Sequence, residues 1–288
     1  MDAPRLTDLS YLRALMARHG VATKKKYGQN FLINPAIPVR IAEVGCPLPE
    51  AGILEIGPGV GTLTRELCAR ARRVVALEID QTLLPVLNET LSDYNNVEVI
   101  LADVLKTDLS VLFAEKFPGC SSVCVCANLP YYITTPVLMY LLESGVPFRT
   151  VTVMVQKEVA ERLTAPAGSP EYGAITAAVS YYGRAERLFT VSPGSFLPAP
   201  KVESCVVRIT LHENSPYADC DRALLFSLVK AGFEQRRKTL LNTLRGLLSE
   251  SDRTAVAKEL VTLGHPADVR AEKLSIDDFA ALARALKN

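Results

Sequence analysis

Between residues 53 and 163 the chain alternates two hydrophobic patterns. Short, nearly unbroken apolar runs at 53–56, 73–79, 97–101, 122–127 and 150–155 read as buried strands. Amphipathic stretches at 61–71, 81–91, 110–116, 135–143 and 157–163 separate them and read as helices. Upstream, Leu9, Leu12, Leu15 and Met16 form one stripe of a helix over 7–18 that Gly20 ends, and Asn34-Pro35 starts a helix toward Cys46. Strands alternating with helices predict a parallel sheet covered on both faces, and right-handed crossovers make it doubly wound.

The pattern then changes. Two strand-like runs, 188–191 and 205–211, flank the proline-rich "SPGSFLPAPKVE", which reads as a loop. From residue 221 only helical periodicity remains, at 221–235, 238–248, 252–263 and 275–286. The break at "NSPYADC" predicts an α/β domain over 1–216 and a small all-helical domain over 217–288.

Composition narrows the class without naming a function. A 288-residue chain with 49% hydrophobic and 22% charged residues is a folded globular protein. No apolar run approaches the ~20 residues that span a bilayer, and the acids Asp2 and Asp8 speak against a secretory or transit leader. Seven cysteines, an odd number, are expected as reduced thiols in a cytoplasmic setting. Cys120, Cys124 and Cys126 cluster without a nearby histidine, so no metal site is expected. Net charge is only +1, yet Lys24-Lys25-Lys26 forms a basic block. Lys230 to Arg245 adds five basic residues against Glu234 alone, so any contact with a polyanion is local.

The candidate chemistry sits at strand ends. "ILEIGPGVGTLT" (53–64) places Gly57, Gly59 and Gly61 between a strand and a helix, where bare backbone admits a ligand. The G-x-G-x-G spacing differs from the G-x-G-x-x-G of dinucleotide binders, and Glu55 favours a ligand bearing positive charge. S-adenosylmethionine fits that charge better than NAD. Glu78 closes the next strand, placed to accept both ribose hydroxyls and preferred over Asp80 for that role. Asp103 closes the third, placed to accept an adenine amino group. Ligands of open α/β sheets bind at this edge.

The fourth strand delivers "NLPYY" to the same edge. The amide oxygen of Asn128 and the carbonyl of Leu129 suit the two hydrogens of a base's exocyclic amine, leaving its lone pair localised on a pyramidal nitrogen. Pro130 stiffens the backbone and Tyr131 offers a ring to stack on an extruded base. No strong base is required, because the amine sheds its proton once methylated.

Almost end to end, the chain resembles the KsgA/RsmA rRNA adenine N6-dimethyltransferase family. The matching stretches include "KKKYGQNFL" (24–32), "EIGPGVG" (55–61), "LEID" (77–80), "ADVL" (102–105), "NLPYYITTP" (128–136), "VQKEVAERL" (155–163), "FLPAPKVES" (196–204) and "FEQRRKTLLNTL" (233–244). The resemblance implies a Rossmann-like class I methyltransferase domain, a helical C-terminal domain, and S-adenosylmethionine as cofactor. It also implies dimethylation of two adjacent adenines in a hairpin of small-subunit (16S) rRNA, linked to subunit assembly, by a protein expected to be monomeric. Asn30 and Leu32, in a segment that composition alone reads as a linker, would cover the cofactor, with Gly57, Glu78, Asp103 and Asn128 in contact. Phe196 would sandwich the adenine opposite Tyr131, and Arg236, Arg237 and Lys238 would meet RNA phosphates.

Two alternatives stand beside this reading: an Erm-type enzyme of large-subunit rRNA, and a non-catalytic ribosome-assembly or transcription factor of the same fold. A nicotinamide-dependent oxidoreductase lacks its glycine spacing and a His or Tyr-Lys pair.

Overall fold

The structure, a computed structural model, describes residues 5–22 and 28–286, so the Lys24–Lys26 block lies outside the described residues. The chain divides into two compact units, Met1–Ala160 with Glu186–Leu211, and Glu161–Ala185 with His212–Asn288.

In chain order the first unit carries α1 (Leu9–Arg18), β1 (Phe31–Leu32), α2 (Ala36–Gly45), β2 (Gly52–Ile56), α3 (Thr62–Cys68), β3 (Arg73–Glu78), α4 (Leu84–Thr90) and β4 (Val97–Leu101). There follow α5 (Leu109–Lys116), β5 (Val123–Asn128), α6 (Thr134–Glu143), β6 (Phe148–Gln156) and α7 (Lys157–Leu163), in which the second unit begins. The second unit takes α8 (Ala174–Tyr182), and the chain then returns through β7 (Gly183–Val191), β8 (Phe196–Leu197) and β9 (Ser204–Leu211). Helices α9 (Arg222–Glu234), α10 (Leu240–Thr243), α11 (Glu250–Thr262) and α12 (Ile276–Ala285) complete the second unit.

Seven strands pair in the order β4-β3-β2-β5-β6-β9-β7. The five from β4 to β6 run parallel, and β9 pairs antiparallel with β6. This mostly parallel sheet with flanking helices is the class I methyltransferase fold. All five residues of β2 are buried, as a central strand covered on both faces requires. In register, Glu55 pairs with Ala76 and Cys126, Glu78 with Leu101, and Asn128 with Met154, so the strand ends form one continuous edge.

Local chemistry sets the helix starts. Asp8 accepts bonds from the backbone N–H groups of Ser10 and Tyr11, both at 2.9 Å, and Asn34 accepts from Ala36 N–H at 3.1 Å. The amide of Asn96 donates to the carbonyls of Cys68 and Ala71, both at 2.9 Å, which closes the end of α3.

The second unit has its own core, including Leu225, Leu228, Leu240, Leu260 and Phe279, with Ala177 of α8 in it. The boundary expected at 216/217 therefore differs from the observed division, in which 161–185 cluster with the C-terminal helices. The sequence pattern assigns no element to α8, for a physical reason. "AITAAVSYY" has no charged face to display a helical period, and Gly173 at its N-cap brings no capping side chain. Two further departures concern short pairings. Phe31–Leu32 and Phe196–Leu197, read from sequence as linker and loop, form a two-stranded antiparallel ribbon.

Candidate active site

A cleft of about 840 Å³, open solvent at its mouth included, lies at the carboxyl edge of β2, β3 and β5. Asn30, Leu32, Gly57, Glu78, Asn128, Leu129 and Pro130 all line it.

The glycine loop shapes one wall. Gly57 has φ +69°, a backbone state that side chains rarely tolerate, and a Cβ there would project into open space. Gly59 has φ +62°, and its Cβ would meet the Phe31 ring at 3.2 Å, so the loop and the segment bearing Asn30 fit only without a side chain.

The acids differ in how the protein uses them. Glu55 is 1% exposed, and its Oε2 has no hydrogen-bond partner among the described residues. Burial, reinforced by neighbouring Glu78, pushes its carboxyl up to about 8. Glu78 accepts from Asp80 N–H at 2.8 Å and Gly59 N–H at 3.3 Å. Burial raises its pKa against the lowering effect of those bonds. Asp80, the rival for the ribose role, turns inward. Its Oδ1 accepts from the backbone and hydroxyl of Thr82 at 3.1 and 2.7 Å, and its Oδ2 from Gln29 at 3.1 Å. Asp103 lies two residues beyond the end of β4, where its Oδ1 accepts from Leu105 N–H at 3.1 Å and caps a short turn, and it does not line the cleft.

The opposite wall is the turn after β5. Asn128 Nδ2 donates to the carbonyl of Asn30 at 3.2 Å, which fixes the amide and leaves Oδ1 as its acceptor end. Pro130 accepts, through its carbonyl, from Ile133 N–H and the Thr134 hydroxyl, both at 3.2 Å, so the turn is rigid behind Asn128.

The aromatic residues are arranged differently from the sequence reading. Tyr131 does not line the cleft. Its hydroxyl is bonded to Ser204 Oγ at 2.6 Å at the start of β9. Tyr132, 58% exposed, lines the cleft in its place, with Gly28 packed beneath its ring. Phe196 is 2% exposed and sits in the core with Leu32 and Ile37. In the two-stranded ribbon it pairs with Leu32, which itself lines the cleft.

Sequence reasoning also missed Gly28, Gln29, Ile79 and Thr62 in the cleft wall. Ile79, 47% exposed although it follows a buried strand, was detectable as an apolar residue adjoining Glu78 at a strand end.

In the second unit Arg236, Arg237 and Lys238 lie on an exposed turn between α9 and α10. Arg236 is tied to its own unit, donating to the carbonyls of Pro170 at 2.9 Å and Tyr172 at 3.3 Å. Among the described residues no group of three or more His, Cys, Asp or Glu side chains is placed to hold a metal, and no helix is long and apolar enough to cross a membrane.

Comparison with known proteins agrees with this geometry. The family model for ribosomal RNA adenine dimethylase matches residues 20–288. The ribosomal RNA small subunit methyltransferase A of Geobacillus kaustophilus is 45% identical over 276 residues, covering 95% of this chain and 94% of that one. Among solved structures, a dimethyladenosine transferase from Plasmodium falciparum superposes with a TM-score of 0.73 at 26% identity, covering 88% of this chain and 95% of that one. The 23S rRNA methyltransferase ErmE gives 0.70 at 27%, covering 90% and 100%. With cleft, glycine loop and Asn-Leu-Pro-Tyr turn at one sheet edge and the family model spanning nearly the whole chain, the protein belongs to the ribosomal RNA adenine dimethylase family.

Proposed function

We propose that the protein is an S-adenosylmethionine-dependent enzyme that dimethylates N6 of two adjacent adenines in a hairpin near the 3′ end of 16S rRNA, during small-subunit biogenesis. The 45% identity to a small-subunit methyltransferase, against 27% to the 23S enzyme, supports the choice of subunit. The monomeric state and cytoplasmic setting expected from the sequence belong to the same proposal.

The observation that carries the chemistry is the fixed amide of Asn128 at the rim of a cleft walled by Glu55, Gly57 and Glu78. The site fits the cofactor on its own features: an orphaned buried carboxyl oxygen suited to a cation, open space over Gly57, and a second carboxylate anchored by backbone donors. Asn30, Leu32, Gly57, Glu78 and Asn128 would hold it, with Asp103 at the far end of the same edge. When bound, S-adenosylmethionine supplies an electrophilic methyl group on its sulfonium.

The chain's own residues prepare the nucleophile. Asn128 Oδ1 and the Leu129 carbonyl accept the two amine hydrogens and favour a pyramidal nitrogen. Tyr131 and Tyr132 supply rings beside that turn for an extruded base. Arg237 and Lys238 contact RNA phosphates.

Mass spectrometry of small-subunit rRNA from cells with and without the protein tests the reading. Two dimethyladenines present only with the protein are expected. Their persistence without it, or loss of a large-subunit modification instead, refutes it.

A further inference from the structure

Glu55 differs from every other acid in the cleft wall. It lies one residue from the end of β2, is 1% exposed, and leaves Oε2 without a hydrogen-bond partner among the described residues. The hydroxyl of Thr62, just beyond the glycine loop, is buried and has no partner among the described residues either, while the Thr64 hydroxyl sits beside Glu55 and only partly offsets the upward shift. A native interior rarely leaves such groups unsatisfied, and two in the wall of one cleft mark a place where a ligand or a water completes the bonding.

The charged and titratable groups facing Glu55 are Glu78 from β3, Cys68 from α3 and Cys126 from β5. All three are neutral or anionic. Among the described residues no cation faces this carboxylate, and burial and Glu78 together hold the group up to about 8. At neutral pH the free protein therefore holds Glu55 as the uncharged acid.

The proposed cofactor carries two positive groups. A sulfonium has no N–H to donate, whereas the ammonium of its amino-acid end has three, and only a donor satisfies an orphaned acceptor. Donation through one bound water meets the same demand.

We propose that binding of S-adenosylmethionine expels the proton of Glu55, because the cofactor's ammonium group replaces that proton as the partner of the buried carboxylate. This rests on the cofactor reading above. The O–H of the acid breaks, its proton leaves to buffer, and carboxylate and ammonium balance in the bound state. Cofactor affinity then depends on pH through one side chain, rising as pH rises toward 8.

Two linked effects follow, and their signs are opposite. For the free protein, the native state holds a proton that the unfolded chain has lost above pH 4.5. Stability is thus greatest below that value and falls as pH climbs toward 8. For binding, the same climb removes the proton that must otherwise be expelled, and affinity grows.

Calorimetric titration at pH 6.5, in two buffers of different ionisation enthalpy, measures the proton directly. The ligand's own amine is still charged there, since α-amino groups titrate near ~7.7–8.0. Wild-type protein is expected to release about one proton per ligand with both S-adenosylmethionine and its neutral thioether product, S-adenosylhomocysteine, because each carries the ammonium. Affinity is expected to rise about tenfold between pH 6 and 7. The Glu55→Gln variant is expected to release none and to bind with little pH dependence.

Binding with equal heats in the two buffers overturns the proton-linkage inference and leaves the cofactor reading intact. So does proton release that survives in Glu55→Gln. Release with S-adenosylmethionine alone overturns the assignment to the ammonium. If neither ligand binds the wild type, the cofactor reading itself falls. Should Glu55→Gln not fold, the wild-type heats and the melting temperature of the free protein between pH 5 and 8, expected to fall, decide the matter.

Discussion

The carboxyl edge of the sheet and the basic turn of the second unit use charged side chains in opposite ways. At the sheet edge, Glu55 has an oxygen with no partner among the described residues, and Glu78 is held by two backbone N–H groups while still lining the cleft. At the basic turn, Arg236, the first of three consecutive basic residues, is bonded to two carbonyls of its own unit. Residue type announces what a side chain can bind. Whether it is still available depends on what the fold has already given it.

The largest effect that would break this comparison belongs to Asn128. Replacing it with alanine removes the acceptor aimed at the amine, so methyl transfer is expected to drop by about 10²–10³-fold in single-turnover assays, with the melting temperature nearly unchanged. Near-normal turnover would show that the amide held by Asn30 is only a structural tie. Next comes Glu78→Ala, expected to weaken cofactor binding by roughly 10–100-fold by titration calorimetry, because charged hydrogen bonds are lost. Comparable loss from Asp80→Asn without loss of stability would reverse the assignment between the two acids.

The basic turn allows a sharper contrast. Arg237→Glu is expected to weaken RNA binding several-fold and to lower the slope of log affinity against log salt by about 1. Arg236→Ala is expected instead to destabilise the protein by about 1–2 kcal/mol, since it detaches the 170–172 segment, with the smaller effect on the salt slope. If Arg236→Ala changes the slope as much as Arg237→Glu, its carbonyl contacts do not withhold it from RNA. The smallest effect concerns Ser204→Ala, which unties the Tyr131 hydroxyl. An increase of about fivefold in the KM for RNA, with cofactor affinity unchanged, is expected from one lost hydrogen bond.

Much of the fold was legible because its signals are local. Apolar runs from 53 to 155 coincide with β2 through β6 to within about two residues at each end, since the central strands are buried on both faces and even the half-exposed edge strand β4 keeps mostly apolar residues. Asp8 and Asn34 announce their helices for the same reason: a cap acts on backbone only two or three residues away. What escaped was non-local. The ribbon of Phe31–Leu32 with Phe196–Leu197 joins segments about 165 residues apart, and no periodicity in two residues can reveal it. Helix α8 escaped because it is apolar on all sides and belongs to the core of the second unit rather than to the sheet it interrupts in sequence.

The site divides along the same line. Residue order alone carries the chemistry on offer: a carboxylate before a glycine loop, another at the next strand end, an amide shortly before a proline, and tyrosines beyond it. Strand periodicity alone sends these to one edge, because parallel strands in register end together. Only the tertiary structure decided which groups remain open to a ligand. It left Glu55 unpartnered, turned Asp80 inward, buried Phe196 against Leu32 and set Tyr132 rather than Tyr131 on the cleft. Each of those outcomes depends on a partner distant in sequence, and a buried group's bonding is completed by whatever the rest of the chain brings to it.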